Sequence, residues 1–511
     1  MVATGSVTQP PFAKDATTQS PIARRTKIVA TLGPATDSDE MLDSLVKMGV
    51  DIFRFNMSHA KAAWVKSTAA RLRAIAAQHQ RLVALLIDTQ GPAIRTGDLR
   101  QPLTLKAGDT FTFTVRGHRS TEEYSVDVNY DDLVNDINAG DIVLVDNGLL
   151  RMQVVSKEAN RIDCKVLTPG QLGNRRHINL PGVKVNLPAI TEKDKEDILT
   201  GIEAGMDFVA LSFVREAADI QTLRDYLAAH GGKHMRVVAK IEDQCAIRNL
   251  NGIVAEADAI MVARGDLGVE CPYEDLPLIQ RHIVRTTQLA MKPVIIATHL
   301  LESMIQTPMP TRAEITDVSN AVLENTDAIM LSGETSVGRY PLACIEVLQR
   351  VAARVENSRS QMRFQDELKL TLKSQWIASA AVHLADRLHA RCLCVFTQTG
   401  RLAGLCAALR PERTRVFAFT PNATAANQLC LRQGVTSFVM PAQWDAESTI
   451  RAAERMLLER GLIAPGDRIV AVSNMLAHGE IIGAVQLREI ARDAQGQIDS
   501  RAIMTTPAPA E

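Results

Sequence analysis

RVVAKIED (236–243), DAIMVARGD (258–266), KPVIIATHL (292–300) and DAIMLSGET (327–335) share one design, a short apolar run that ends in polar or glycine residues. Such runs, rich in Val, Ile and Ala with little alternation, read as strands buried on both faces, and these are usually parallel. The same pattern appears upstream at TKIVATLGP (26–34), VDIFRFNMSH (50–59), LVALLIDTQG (82–91) and MDFVALSF (206–213), which makes eight. Helical patterns separate most of them, as in SDEMLDSLVKMG (38–49) and EKDKEDILTGIEAG (192–205), the latter with Thr191 as N-cap and Gly205 as stop. Eight βα units predict an α/β fold, a (β/α)8 TIM barrel with its site at the C-terminal strand ends, where the polar residues fall. A doubly wound open sheet is the alternative, and it explains a count of eight less well.

One gap breaks the rhythm. Residues 97–183 are too many for a loop, and they contain PLTLKAGDTFTFTV, GDIVLVDNGLLRMQVVS and RIDCKVLTPG, alternating segments punctuated by Gly, Asp and Pro. They read as an inserted small β-barrel domain, with Gly97 and Gly182 as hinges, that closes over the barrel mouth as a lid. Beyond residue 357 a helical stretch (376–390) precedes ARCLCVFTQTG, TRVFAFT, TSFVMPA and RIVAVSN, the pattern of a separate α/β domain. The expected division is 24–96 with 184–357 for the barrel, 97–183 for the lid and 358–500 for the C-terminal domain. Residues 1–23 and 501–511, rich in Thr, Pro, Ser and Ala, are expected to be disordered tails.

Composition narrows the function class. Across 511 residues, 57 Lys and Arg against 58 Asp and Glu leave a net charge of −1, without the basic excess of a dedicated nucleic-acid binder. No apolar run approaches the roughly 18 residues of a membrane helix. The 8 cysteines form no CxxC pair, so reduced thiols and a cytoplasmic location are the expectation. Cys392 and Cys394 share a strand face; two buried core residues are the better reading than metal ligands, because nothing completes a site.

Strand spacing sorts the polar residues. Arg54, Asn56 and Ser58 share a face while the chain stays extended, and Lys240 and Glu242 do the same. Asp88 and Thr89 end the third run, Asp266 follows the sixth, and Thr298 ends the seventh. Charges in buried strands are costly unless paired or bound to metal. A structural ion pair therefore remains one reading of Lys240 with Glu242, and a site is the other. As a set, Glu242 and Asp266 suit Mg²⁺, which takes one or two carboxylates and keeps positions for substrate oxygens. Asn56, Ser58, Asp88 and the Thr89 carbonyl offer hard oxygens for a second, less demanding cation. With Arg54 and Lys240 alongside, the set describes a receptor for a multiply anionic, phosphorylated substrate. The turn ARGDLG adds backbone amides at a helix start. Walker A and GxGxxG motifs are both missing from the sequence.

At this point the chain resembles the pyruvate kinase family. The resemblance is carried by TKIVATLGPAT, FRFNMSHA, LIDTQGPAIRTG, NLPGVKVNLPAITEKD, AKIED, DAIMVARGDLGVE and ATHLLESMIQTPMPTRAEITDVSNAVLENTDAIMLSGET, in family order over roughly residues 24–490. It implies transfer of the phosphoryl group of phosphoenolpyruvate to ADP, giving pyruvate and ATP, with Mg²⁺ (or Mn²⁺) and K⁺ as cofactors. It implies that Lys240 stabilises the phosphoryl group in flight, that Glu242 and Asp266 bind the divalent metal, and that Arg54 and Arg95 contact the transferring group. Gly265, Asp266 and Thr298 are implied to hold the substrate carboxylate, with Thr298 and Ser332 on the proton route to the enolate. Asn56, Ser58, Asp88 and Thr89 match K⁺ ligands, and Pro34, His59, Arg95 and Arg176 match positions near the nucleotide. TQTGRLAG (397–404) resembles an effector-phosphate loop, with Thr397, Thr399, Gly400 and Arg401 fitting a sugar phosphate or AMP. A strand-to-helix turn without a ligand is the competing reading. A homotetramer is implied too, with Arg312 facing a neighbouring subunit.

The chain departs from the family at Gln90, Ala93, His299 and Leu402. Ala93 supplies neither the acidic residue that accompanies K⁺ dependence nor the Lys that replaces the cation. Retention of all four K⁺ positions predicts K⁺ activation. Two rival readings are a different Mg²⁺ barrel enzyme acting on pyruvate or phosphoenolpyruvate, and an inactive relative kept as a sensor. The first leaves the lid and the C-terminal domain unexplained. The second predicts loss of Lys240, Glu242, Asp266 or Arg54, all of which are present.

Overall fold

The computed structural model describes residues 24–118, 122–358, 365–441, 445–477 and 480–491, so both expected tails lie outside the described residues. All eight apolar runs form strands: β1 (Lys27–Thr31), β2 (Ile52–Asn56), β3 (Ala84–Asp88), β4 (Phe208–Leu211), β5 (Arg236–Ile241), β6 (Ala259–Ala263), β7 (Val294–Ala297) and β8 (Ala328–Leu331). They close into one parallel barrel in which every strand neighbours its predecessor and β8 pairs with β1. Two layers account for their apolar composition. Val29, Ile52, Ala84, Leu86, Phe208, Ala210, Val238, Met261, Ile295 and Met330 fill the barrel. Their chain neighbours, such as Phe53, Phe55, Leu85, Ile87, Val237 and Ala239, pack outward against the helices. Each fully buried Phe, Leu or Ile side chain contributes about 1.5–3 kcal/mol.

Local chemistry sets the helix entries. Thr191 caps the helix Glu192–Glu203 in a reciprocal box with Asp194. The second Asp194 oxygen accepts from the Gly91 amide at 3.0 Å, so this helix start also fixes the loop after β3.

The insertion between β3 and β4 forms a six-stranded sheet and a two-stranded one around its own apolar core; among the described residues these sheets stay open, where a small closed β-barrel was expected. The two chain crossings lie side by side, Arg95 bridging to His177. Of the two expected hinges, Gly182 has the left-handed backbone (φ +79°). Gly97 does not; a Cβ there would fall 2.1 Å from Oδ1 of the exposed Asp127, whose carboxylate would have to turn away.

The C-terminal sheet contains β9 (Cys392–Phe396), β10 (Arg415–Thr420), β11 (Val435–Val439), β12 (Arg468–Ala477) and β13 (Glu480–Glu489), in the order β11-β10-β9-β12-β13. Cys392 and Cys394 are buried in it with their sulfurs 3.7 Å apart. This domain seals the barrel floor. Cys430 and Leu431 enter the barrel's interior cluster from below, while Arg410 grips Asp327, the residue before β8, at 2.6 and 3.0 Å.

Candidate active site

The inward positions of the barrel strands continue past their apolar members. Ile52 leads to Arg54 and Asn56, Leu86 to Asp88, Ala210 to Ser212, and Val238 to Lys240 and Glu242. A period of two therefore places a polar layer directly on the apolar plug at the C-terminal mouth.

Within this layer the charges interlock. Arg54 Nε donates to Asp88 Oδ2 at 2.6 Å, and another of its nitrogens reaches Thr31 Oγ1 at 3.0 Å. Lys240 Nζ donates to Ser212 Oγ at 2.7 Å and lies 3.3 Å from Asp88 Oδ1. It also sits 2.8 Å from Glu242 Oε1, off the line of a hydrogen bond. Ser212 Oγ donates to the Thr89 carbonyl at 2.7 Å. Burial alone would lower the Lys240 pKa, but Asp88 and Glu242 outweigh it and hold the ammonium above the usual lysine range. Burial also opposes the charge on Asp88, yet Arg54 and Lys240 keep it below the usual carboxylate range. Glu242 goes the other way: burial pushes it up to about 7, with Lys240 opposing and Asp266 adding repulsion.

That combination fits a divalent cation. Glu242 Oε2 accepts the Phe213 amide at 2.6 Å, whereas buried Oε1 has no aligned donor, and Asp266 faces the same cleft. Among the described residues no group of three or more His, Cys, Asp or Glu forms a metal cage. Two carboxylates suit Mg²⁺, which keeps coordination positions for substrate oxygens.

The cleft, about 340 Å³, brings together Arg54, Asn56, Ser58, Thr89, Gln90, Ala93, Arg95, Arg176, Lys240, Glu242 and Asp266. Asp88 lies beneath them, fully buried. β2 stops at Asn56, so Ser58 reaches the cleft through a turn, its amide on Asn56 Oδ1 at 3.2 Å, and not through a shared strand face. Thr298 and Gly265 meet at neighbouring strand ends. The Gly265 amide, expected to be open to a carboxylate, here donates to Thr298 Oγ1 at 2.7 Å, and that hydroxyl donates to the Ala297 carbonyl at 2.6 Å. The helix opening at Arg264 is seven residues long. Ser332 Oγ is buried without a partner at the end of β8. Pro34 and His59 are exposed outside the cleft lining. His299 is exposed, 3.7 Å from Glu302. Thr397, Thr399, Gly400 and Arg401 belong to the turn after β9; Gly400 is left-handed (φ +78°) and opens the helix Arg401–Ala408.

The sequence reading passed over several cleft residues. Ser212 joins Lys240, Asp88 and Thr89, and its signal was present, since it continues Phe208 and Ala210 on the inward face. Asp146, Asn147, Arg175 and His177 reach the cleft from the inserted domain, where no strand period marks them.

Comparison with known proteins agrees with this architecture. The model of the pyruvate kinase barrel domain matches residues 23–345, and that of the pyruvate kinase alpha/beta domain matches residues 375–481. Pyruvate kinase isozyme G, chloroplastic, of Nicotiana tabacum is 42% identical over 455 residues, covering 88% of this chain and 80% of the relative. A pyruvate kinase of Geobacillus stearothermophilus is 38% identical over 458 residues, covering 88% and 78%. The crystal structure of a pyruvate kinase from Cryptosporidium parvum superposes with a TM-score of 0.86 at 34% identity, covering 91% of this chain and 96% of that one. On the eight-stranded barrel, the charged layer at its mouth and these likenesses, the chain belongs to the pyruvate kinase family, a family of phosphotransferases.

Proposed function

We propose that the barrel-mouth cleft is where this pyruvate kinase moves the phosphoryl group of phosphoenolpyruvate to ADP, giving pyruvate and ATP. The observation that carries this is Lys240, buried yet held protonated between Asp88, Ser212 and Glu242, beside Arg54. Phosphoryl transfer needs positioning and charge neutralisation more than covalent help. Lys240 and Arg54 meet the phosphoryl oxygens from below, and Arg95 meets them from the lid crossing. Glu242 and Asp266 hold Mg²⁺ or Mn²⁺, which supplies further positive charge to those oxygens when bound.

The bond from phosphorus to the enol oxygen breaks as the bond to a terminal ADP oxygen forms, leaving an enolate that takes a proton at carbon. A substrate carboxylate oxygen takes the place of Thr298 Oγ1 as acceptor for the Gly265 amide, and the Asp266 backbone amide and the Thr298 hydroxyl complete its hold. The Thr298 hydroxyl, which reaches the proton route once its hydrogen leaves the Ala297 carbonyl, and Ser332, a buried hydroxyl without a partner, stand as the two donors. Residues 97–183 act as the lid that excludes water during this step. Asn56, Ser58, Asp88 and Thr89 hold K⁺, and Pro34, His59, Arg95 and Arg176 flank the nucleotide.

The same proposal extends to organisation. Residues 24–96 and 184–357 form the catalytic domain, and 358–500 the effector and oligomerisation domain of a homotetramer, with Thr397, Thr399, Gly400 and Arg401 receiving a sugar phosphate or AMP. The 8 cysteines are all free thiols, in keeping with a reducing cytoplasm. Among the described residues no helix is long and apolar enough to cross a membrane. A coupled assay with phosphoenolpyruvate, ADP, Mg²⁺ and KCl tests the reaction; absence of turnover at every effector and KCl setting overturns it. Light scattering tests the tetramer.

A further inference from the structure

Glu270 ends the helix that carries Asp266 and is 8% exposed. Two other segments meet on it. Asn179, in the last strand of the inserted domain, donates from Nδ2 to Glu270 Oε1 at 3.0 Å. Gln244, two residues beyond Glu242, donates from Nε2 to the Glu270 carbonyl at 2.5 Å. The lid's returning strand and both carboxylate-bearing segments thus converge on one residue. Upstream of Asn179, at only a few residues' distance, lie Arg175, Arg176 and His177 of the cleft, and just downstream lies the left-handed Gly182, packed near Gln244.

The Asn179 amide is half used. It is 6% exposed, and its Oδ1 has no hydrogen-bond partner. A buried acceptor left unpaired is costly, and an apolar pair would hold two surfaces together without that cost. A cavity of about 70 Å³ lies alongside, bounded by Phe213, Glu242, Gln244, Asn179 and Glu270, and gives this junction room to shift.

We infer that Glu270 is a positioning residue for the lid: its carboxylate, through Asn179, sets the lid arginines in register with Glu242 and Asp266, while its main-chain carbonyl, which Gln244 holds, is kept in every variant below. This rests on the phosphotransfer reading above. Glu270 touches no substrate in it and acts through the segments it joins.

The test uses the full chain with Glu270→Ala, Asn179→Ala, the double variant and Glu270→Gln, the last keeping an acceptor for Asn179. Each alanine variant is expected to lower kcat and raise the ADP KM and the Mg²⁺ half-activation concentration, roughly ten-fold in kcat/KM, about what one buried hydrogen bond is worth. The phosphoenolpyruvate KM changes less, the double variant is no worse than the worse single one, and Glu270→Gln restores most of the loss. Additive effects, equal shifts in all KM values or no rescue by Gln overturn the inference. Amide hydrogen exchange at residues 175–180 gives an arm independent of turnover. Faster exchange in Glu270→Ala with unchanged exchange in the barrel strands is expected, and unchanged exchange at 175–180 overturns it. An inactive wild type together with that faster exchange would leave the lid linkage standing and remove the phosphotransfer reading instead.

Discussion

Arg264 holds the carbonyl of Thr298 with two nitrogens, at 2.6 and 3.2 Å, and is itself fixed by Asp317 at 2.7 Å. The carbonyl it grips belongs to a β-branched residue in the left-handed region (φ 67°), followed by His299 at 55°. Such a backbone costs about 1–3 kcal/mol and persists only where its surroundings enforce it. Arg264→Lys keeps a charge near Asp317 but loses the two-pronged grip. It is expected to lower kcat roughly ten-fold, about 1.4 kcal/mol of barrier, with the phosphoenolpyruvate KM raised as well. Steady-state kinetics, at a temperature where circular dichroism shows the variant folded, checks this. Unchanged constants would show that the turn holds its shape without the arginine.

Lys240→Met removes the central cation of the charged layer while Arg54 and the two carboxylates remain. A drop of about 10²–10³ in kcat is expected, the usual cost of losing one preorganised charge aimed at the transition state. Phosphoenolpyruvate binding, measured by calorimetry, is expected to change far less. An unchanged kcat removes Lys240 from the chemistry.

Ala93 lines the cleft and brings no charge, and its carbonyl is held by Asn129 of the inserted domain at 3.1 Å. The proposed K⁺ site therefore rests on Asn56, Ser58, Asp88 and Thr89 alone. Rate is expected to rise with KCl at constant ionic strength, and a flat response rules out the K⁺ site.

Asp51 is buried at the barrel floor with Arg24 at 2.8 Å and Lys27 at 3.5 Å. Burial opposes its charge, but Arg24, Lys27 and Arg81 overcome this and hold its pKa below the ordinary value. A depressed folded-state pKa contributes stability above the unfolded value, about 3.9, and that stability is lost as pH falls through the folded value. Asp51→Asn is expected to cost about 3 kcal/mol at pH 7, as for a broken buried ion pair. The gap from wild type narrows as the pH falls below about 4. Urea titrations at pH 7 and pH 3.5 measure both; a gap independent of pH refutes the charge contribution.

In the C-terminal domain Arg401 is exposed at the first turn of its helix, beside Thr399 and the left-handed Gly400. Sugar phosphates or AMP are expected to raise the melting temperature of wild type and not of Arg401→Ala. Equal responses in both leave the turn without a phosphate role.

The barrel and much of the charged layer at its mouth were legible because both obey one period. Arg54, Asn56, Lys240 and Glu242 follow Ile52 and Val238 at steps of two, so the residues that fill the core also aim the charges. Ser212 obeys the same rule and was passed over because a serine beside a phenylalanine carries no chemical signature by itself. The inserted domain's contribution was hidden for a different reason. Asp146, Asn147 and Arg175 occupy left-handed turns (φ 55°, 55° and 53°) and reach the cleft only through the packing of one domain on another. The Gly265 amide shows a third kind of gap: spacing places a donor at a strand end, but only geometry reveals that Thr298 already accepts from it.

Cys430 and Leu431 fill the bottom of a barrel whose last strand ends at Leu331. A nascent chain emerges N-terminus first, so all eight barrel strands leave the ribosome well before the two side chains that complete their interior. Until then the barrel keeps an apolar opening on its underside. Its final consolidation waits for the C-terminal domain, and a truncation before residue 430 would leave that opening permanently unfilled and prone to association.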